Sequence, residues 1–226
     1  EVIVQAWMGL PLKFPIPALW PGTVDLADRR TRAQIVDLAA WMVEEAGFDG
    51  VHLDPEPVAS GDRYLLRLLE ELRARLPTGA ILSISGRHIA PFTGWIGESL
   101  VAPWAWSPGY YRQVASHVDE IGVMVYDSSM PWAWAYRAWT CVQTMRVSGA
   151  LAGTGVALFI GVPTSEERTY THWPKAENMR SGIDGVLCAL RLCRRCNVTV
   201  TGLAVYPHWE TDAQEWESFR KVWLAE

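Results

Sequence analysis

The stretch Phe48-Asp49-Gly50-Val51-His52-Leu53-Asp54-Pro55-Glu56 decides how the fold of this chain is predicted. Its apolar residues are typical of a short buried strand that ends in two carboxylates. Side chains alternate along a strand, so His52, Asp54 and Glu56 share one face, while Val51 and Leu53 share the other. Because a buried polar row is costly unless it lines a cavity or binds something, the pattern predicts a strand that delivers acids to a site. The simpler interpretation is a strand end whose acids are solvated or cap the next helix.

Strand patterns alternate with helical patterns along the rest of the chain. The predicted strands are Val2–Met8, Gly50–Asp54, Ile81–Ser85, Ile121–Asp127, Val156–Val162 and Thr201–Tyr206. The predicted helices are Asp28–Ala46, Asp62–Leu76, Pro108–Val118, Ala135–Leu151, Lys175–Cys196 and Asp212–Leu224. This alternation predicts parallel strands joined by right-handed crossovers, and hence a barrel or an open α/β sheet. No glycine-rich phosphate loop follows the first strand, which argues against a nucleotide-binding fold.

The acid-bearing stretch resembles the signature of glycoside hydrolase family 18, the chitinase-like enzymes. The family pattern D-x-x-D-x-D-x-E is matched by Asp49, His52, Asp54 and Glu56, with histidine in place of the second aspartate. A second family motif, M-x-Y-D at the end of a later strand, is intact as Met124-Val125-Tyr126-Asp127. The resemblance implies an α/β fold of the (β/α)₈ TIM-barrel type.

The number of strands is too small for a closed barrel. A (β/α)₈ barrel has eight strands in about 250 residues, whereas six are predicted here in 226. The resemblance makes the acid strand the fourth of the barrel, yet only one predicted strand precedes it. We therefore expect residues 1–226 to form a single catalytic-type TIM-barrel domain with about six β/α units, truncated at its N-terminus.

The resemblance also implies a reaction and a role for each motif residue. In that family, hydrolysis retains the anomeric configuration and is assisted by the acetamido group of the substrate. Glu56 corresponds to the general acid, Asp54 to the carboxylate that orients the acetamido group, and Tyr126 to the hydroxyl that positions the acetyl oxygen. The expected substrate is a polysaccharide or oligosaccharide that contains N-acetylglucosamine, and no cofactor or metal is expected.

Further residues are expected to bind the sugar. Aromatic rings near strand ends can stack on sugar rings, although core packing is an equally good explanation for any single tryptophan. The full set of expected substrate-binding residues is Asp127, His52, Asp49, Trp7, Trp209, Tyr206 and Trp132. By contrast, Trp41, Trp216 and Trp223 lie on apolar helical faces and are expected in the core.

Histidine at position 52 is the main departure from the family pattern. An imidazole can hydrogen-bond Asp54, and a cationic imidazole would hold Asp54 ionised. The sequence therefore predicts a pH dependence that follows the titration of His52.

Two other functions remain open on the same residues. A metal-dependent TIM-barrel hydrolase could use the side chains of His52, Asp54, Glu56, His88 and His208 as ligands. A non-catalytic carbohydrate-binding protein would keep the cleft and lose turnover. His117 and His172 are expected at the surface.

Composition excludes several other classes. The net charge of −5 argues against a nucleic-acid partner, and no run of about eighteen apolar residues could span a membrane. The chain begins with Glu1, so a segment upstream is expected to have been removed; the family resemblance points to a secreted or cell-surface protein. The four cysteines, Cys141, Cys188, Cys193 and Cys196, are expected to be buried or disulfide-bonded, because the single C-x-x-C pair lacks the second pair of a zinc site. The oligomeric state is left open.

Overall fold

A computed structural model describes residues 2–14, 20–90, 105–192 and 199–224. The chain divides into two units: residues 1–121 with 154–156 form the first, and residues 122–153 with 157–226 form the second. Cys193 and Cys196, and with them the predicted end of one helix, lie outside the described residues.

Within its described residues, the first unit contains three complete strands and three helices. They are, in chain order, β1 (Gln5–Pro11), α1 (Arg29–Glu44), β2 (Gly50–Glu56), α2 (Arg63–Arg75), β3 (Ile81–Arg87) and α3 (Pro108–Ala115), followed by the first residues of β4 (Glu120–Met124). Strand β2 pairs in parallel with both β1 and β3. The acid strand therefore lies between two neighbours.

The second unit continues the alternation. It holds the rest of β4, then α4 (Ala133–Leu151), β5 (Ala157–Pro163), α5 (Met179–Leu192), β6 (Gly202–Tyr206), a 3₁₀ turn (His208–Glu210) and α6 (Ala213–Ser218), which continues as a π-helical turn (Phe219–Trp223). Strands β5 and β6 are parallel.

The strands follow one another in the sheet in the same order as in the chain. Six parallel strands alternating with helices form an incomplete (β/α) barrel, so the predicted fold is confirmed.

Local sequence explains where α2 begins and which faces of α2 and β2 are buried. The side chain of Asp62 accepts hydrogen bonds from the backbone N–H groups of Tyr64 and Leu65 and so caps α2. The apolar face of this helix is fully buried and consists of Leu65, Leu68, Leu69 and Leu72. On β2, Val51 and Leu53 are also fully buried, which leaves the opposite face of the strand to its polar residues.

Several predicted boundaries and burials need correction. Strand β1 is displaced towards Pro11, and β4 ends at Met124, so that Tyr126 and Asp127 lie beyond its last residue. Trp41 is 54% exposed, because the buried face of α1 is formed by other residues. Trp223 does pack against a buried cluster of the second unit, and Trp216 is half-buried.

A disulfide joins Cys141 of α4 to Cys188 of α5. No helix in the described ranges is both long enough and apolar enough to cross a membrane.

Candidate active site

The polar face of β2 carries three candidate site residues in a row. His52, Asp54 and Glu56 are each partly exposed, while the residues between them are buried. The predicted alternation along this strand is thus confirmed. Asp54 and Glu56 lie at the C-terminal end of β2, where catalytic groups of β/α barrels are found.

A chain of hydrogen bonds fixes the imidazole of His52. Gln5 donates from Nε2 to Glu120 (2.7 Å), which leaves its Oε1 to accept from the hydroxyl of Ser83 (2.5 Å). Because Ser83 uses its proton there, its oxygen accepts from Nδ1 of His52 (2.6 Å). Nε2 of His52 then accepts from the hydroxyl of Ser85 (3.0 Å). Both ring nitrogens are occupied by serines of β3.

This network corrects the expected role of His52. The hydrogen bond to Asp54 that the sequence allowed is replaced by bonds to Ser83 and Ser85. Burial lowers the pKa of His52 and outweighs the opposing charge of Asp54. A neutral imidazole between two hydroxyl groups does not act as the cation that the predicted pH dependence required, so the structure does not support that prediction.

Asp54 has a buried oxygen that no described residue satisfies. Its Oδ1 is inaccessible to solvent and accepts no hydrogen bond from the described part of the chain. A buried acceptor without a donor costs about 1–3 kcal/mol. The carboxylate of Asp54 is therefore suited to a ligand that brings an N–H or O–H group to it.

Glu56 forms an ion pair that sequence reasoning missed. Nη1 of Arg87, the last residue of β3, donates to Oε1 of Glu56, and both side chains are largely shielded from water. Such a pair favours the carboxylate form of an acid. Strand pairing could have indicated this contact, because adjacent parallel strands end side by side.

The register of β1 against β2 explains where Trp7 lies. Trp7 pairs with His52 and Gly9 pairs with Asp54, so Trp7 shares the face of the acids; it is 62% exposed. A Cβ atom on Gly9 would lie only 2.9 Å from Cη2 of the Trp7 ring, which shows that the indole lies over this glycine.

Asp49 is placed at the other end of β2. Its Oδ2 accepts a hydrogen bond from the backbone N–H of Val4 (2.8 Å) and so ties the start of β1 to β2. Five residue-to-residue steps of about 3.3 Å separate it from Asp54, a distance of about 16.5 Å along an extended strand. We therefore correct its expected role from sugar binding to a structural one.

In the second unit, four of the expected site residues line a single pocket. The pocket has a volume of about 240 Å³, and its walls include Tyr126, Asp127, Tyr206 and Trp209. The rings of Tyr126 and Tyr206 stack with centroids 5.7 Å apart, and Trp209 meets Tyr206 edge-on at 5.8 Å. The flat aromatic surface and the carboxylate together suit a polar ligand with an apolar face, such as a sugar. Trp132 does not belong to this pocket: it is exposed and stacks on Trp134 at 6.2 Å.

Asp127 begins a segment of unusual backbone that the side chain of Glu177 supports. Its φ of +54° lies in the left-handed region, as does that of Ser129 at +61°. The fully buried carboxylate of Glu177 accepts from the hydroxyl of Ser128 (2.9 Å). His172 is 4% exposed, so its expected surface position is wrong. Neither His172 nor Glu177 belongs to a recognisable spacing pattern, and no sequence signal marks them.

The metal site considered from the sequence is not assembled. Among the described residues, the one group of three or more potential ligands is Asp127, His172 and Glu177, which shares no member with the predicted set. His52 is engaged by serines, Glu56 by Arg87, and His208 lies in the 3₁₀ turn against the ring of Trp209.

The fold of this chain is similar to those of several solved enzymes. The class V chitinase of Pseudomonas fluorescens Pf-5 is 16% identical, with a TM-score of 0.60 over 86% of this chain and 73% of the chitinase chain. The spore cortex-lytic enzyme of Bacillus cereus is 13% identical, with a TM-score of 0.61 over 95% of this chain and 58% of its own. A chitinase of Rhizomucor miehei is 16% identical, with a TM-score of 0.57 over 87% and 76% of the two chains. At these identities the likeness establishes the fold. No protein-family model matches the sequence, and comparison with curated proteins finds no match.

Proposed function

We propose that this chain is a glycoside hydrolase that acts on N-acetylglucosamine-containing polysaccharides or oligosaccharides by substrate-assisted, retaining hydrolysis. The observation that carries the proposal is the C-terminal end of β2, where Glu56 stands beside an Asp54 whose buried oxygen has no donor among the described residues. The similarity of the fold to that of chitinases supports the same class of reaction.

The chemistry requires one acid and one fixed carboxylate. Glu56 gives its proton to the glycosidic oxygen, the bond to the leaving sugar breaks, and the acetamido oxygen of the substrate bonds to the anomeric carbon. Asp54 accepts the acetamido N–H, which becomes more acidic as the oxazolinium ring forms, and stabilises its positive charge. Water then opens this ring and returns a proton to Glu56. Each of the two displacements inverts the configuration at the anomeric carbon, so the overall reaction retains it.

The pocket of the second unit is proposed to contribute sugar binding. Tyr126, by the family resemblance, donates its hydroxyl to the acetyl oxygen, while Asp127 accepts from sugar hydroxyl groups. Tyr206 and Trp209 offer ring faces and edges to the pocket. For Trp7 and Trp132, both exposed, stacking on sugar units remains a prediction.

The ion pair of Glu56 with Arg87 sets a condition on this mechanism. A general acid must carry a proton, whereas a guanidinium favours the ionised form. Glu56 must therefore gain its proton as the pair opens. The same pair favours a second candidate function, a carbohydrate-binding protein without turnover.

The substitution Glu56→Gln separates the two candidates. It removes the proton and keeps the shape, so in a hydrolase it should abolish turnover of chitin oligosaccharides while binding is retained. The control is Glu45→Gln, which changes an exposed glutamate after α1 and should leave turnover intact. Turnover that survives Glu56→Gln would refute the assigned acid. Binding without any turnover by the unsubstituted protein would establish the second candidate.

A further inference from the structure

Asp127, His172 and Glu177 bring three ligand atoms together in the second unit. Nδ1 of His172 lies 3.3 Å from Oε2 of Glu177 and 3.6 Å from Oδ1 of Asp127, and all three atoms lie within 4.8 Å of one another. Asp127 follows β4, whereas the other two residues belong to the connection between β5 and α5. Residues distant in sequence thus converge on one point.

The orientation of His172 directs a nitrogen at this point. Nε2 lies 2.9 Å from the carbonyl oxygen of Ser165, which can only accept a hydrogen bond, so Nε2 carries the proton. The lone pair of Nδ1 in the neutral ring then faces two carboxylates. In this neutral form three electron-rich atoms face one another, and either a cation between them or a second proton on the imidazole would stabilise the arrangement. Metal-bound histidines commonly donate their second N–H to a backbone carbonyl in this way.

The fully buried carboxylate of Glu177 accepts hydrogen bonds from the backbone N–H groups of Ser128 and Met130 and from the hydroxyl of Ser128, and a cation beside it would stabilise its charge further. His172 is the one ion-pair partner of Glu177 within the part of the chain that the structure describes. Arg168 is engaged elsewhere, since it donates to the carbonyl oxygen of His172 and its guanidinium lies over the ring of Trp173. A buried carboxylate is costly unless it is paired or bound to a metal.

We propose that Asp127, His172 and Glu177 bind a divalent transition-metal ion of the zinc type. A tetrahedral Zn²⁺ site with bonds of about 2.0–2.1 Å places its ligand atoms about 3.3–3.4 Å apart. The distances from Nδ1 of His172 to the carboxylate oxygens of Glu177 and Asp127, 3.3 and 3.6 Å, are close to this value. One imidazole with two carboxylates favours zinc over calcium or magnesium, which prefer oxygen ligands alone.

The site would keep a coordination position open towards the pocket. The side chain of Asp127 is 56% exposed and lines the pocket together with Tyr126 and Trp209. A water molecule or an oxygen of a bound ligand could occupy the fourth position, as in zinc sites with three protein ligands. The metal would thereby supply positive charge to a pocket that Glu167 and Glu210 also line.

The competing occupant is a proton. Burial alone would lower the pKa of His172, but the hydrogen bonds with Glu177 and Ser165 and the nearby carboxylate charges reverse the direction and raise it. A doubly protonated imidazole would satisfy the same geometry. Zinc and proton must then exclude each other at Nδ1.

Metal binding can be measured without any substrate, so its result is independent of the proposed hydrolysis. The protein is stripped with a chelator and titrated with Zn²⁺ by calorimetry; Co²⁺ replaces Zn²⁺ for a visible absorption spectrum. We expect one Zn²⁺ per chain at micromolar concentrations, the absorption bands of tetrahedral Co²⁺, and affinity that rises with pH as the proton is displaced.

Three variants make the test specific. Asp127→Asn retains a residue type that tolerates the left-handed backbone and should therefore fold, yet bind zinc at least about tenfold more weakly. His172→Gln should show the same loss, whereas His208→Gln, which changes a histidine outside the cluster, should bind like the parent. No saturable binding by the parent, or equal binding by the parent and Asp127→Asn, would overturn the proposal and assign the central position to a proton.

Discussion

The disulfide between Cys141 and Cys188 should contribute about 4 kcal/mol to the free energy of unfolding, because it closes a loop of 47 residues in the unfolded chain. The loop-entropy relation for this length gives an entropy change of about −14 cal/mol/K, which at 25 °C is this free energy. The two cysteines lie on helices α4 and α5, which also pack against each other through other residues, so most of the effect is expected in the unfolded state.

The bond can be isolated by a double comparison. Urea unfolding is measured for the parent and for a Cys141→Ala, Cys188→Ala variant, each with and without a phosphine reductant. Reduction should lower the stability of the parent by about 4 kcal/mol and leave the variant unchanged. The variant retains the other two cysteines, so any effect of their reduction is measured in it and subtracted. A difference between the two responses below about 1 kcal/mol would refute the loop-entropy reasoning.

Two further predictions concern charge. Arg87→Gln removes the guanidinium that pairs with Glu56, so the alkaline limb of the pH–rate profile for chitin oligosaccharides should move to higher pH. Burial, assisted by the charge of Arg87, lowers the pKa of His88 to about 4. The neutral form is therefore favoured in the folded state, and stability should be full above the unfolded value of about 6.5 and decline as the pH falls towards 4. At pH 5 the loss should reach about 2 kcal/mol in urea unfolding, and His88→Gln should remove this part of the pH dependence.

The predictions for Arg87 and for His88 can each be contradicted by a specific result. Arg63→Gln removes an exposed arginine that lies over the ring of Tyr64 and serves as the charge-matched control for Arg87. If both arginine variants shift the profile equally, the effect is one of net charge and not of the ion pair. If His88→Gln unfolds with the same pH dependence as the parent, then His88 does not titrate as its burial predicts.

The fold was predictable because it rests on periodic patterns. Alternation along β2 and helical spacing of leucines in α2 need only local geometry, and both were confirmed. The displaced ends of β1 and β4 show the limit of this reasoning, since strand ends depend on hydrogen bonds to neighbouring strands and not on the strand's own residues.

The candidate site was predictable only where a motif marked it. Asp54 and Glu56 were found because strand parity places them on one face. Arg87 was missed because an ion pair between strand ends requires the register. His172 was misplaced at the surface because nothing in a loop sequence reveals that a buried glutamate lies opposite.

Gly9 has a consequence for engineering the ligand range of the first unit. Its lack of a side chain lets the Trp7 indole lie along β1, next to the position that pairs with Asp54. Any larger residue would push the indole away, so the aromatic surface would change and a new side chain would stand next to Asp54 in the sheet. A substitution at position 9 would accordingly alter both features of the proposed sugar site at once.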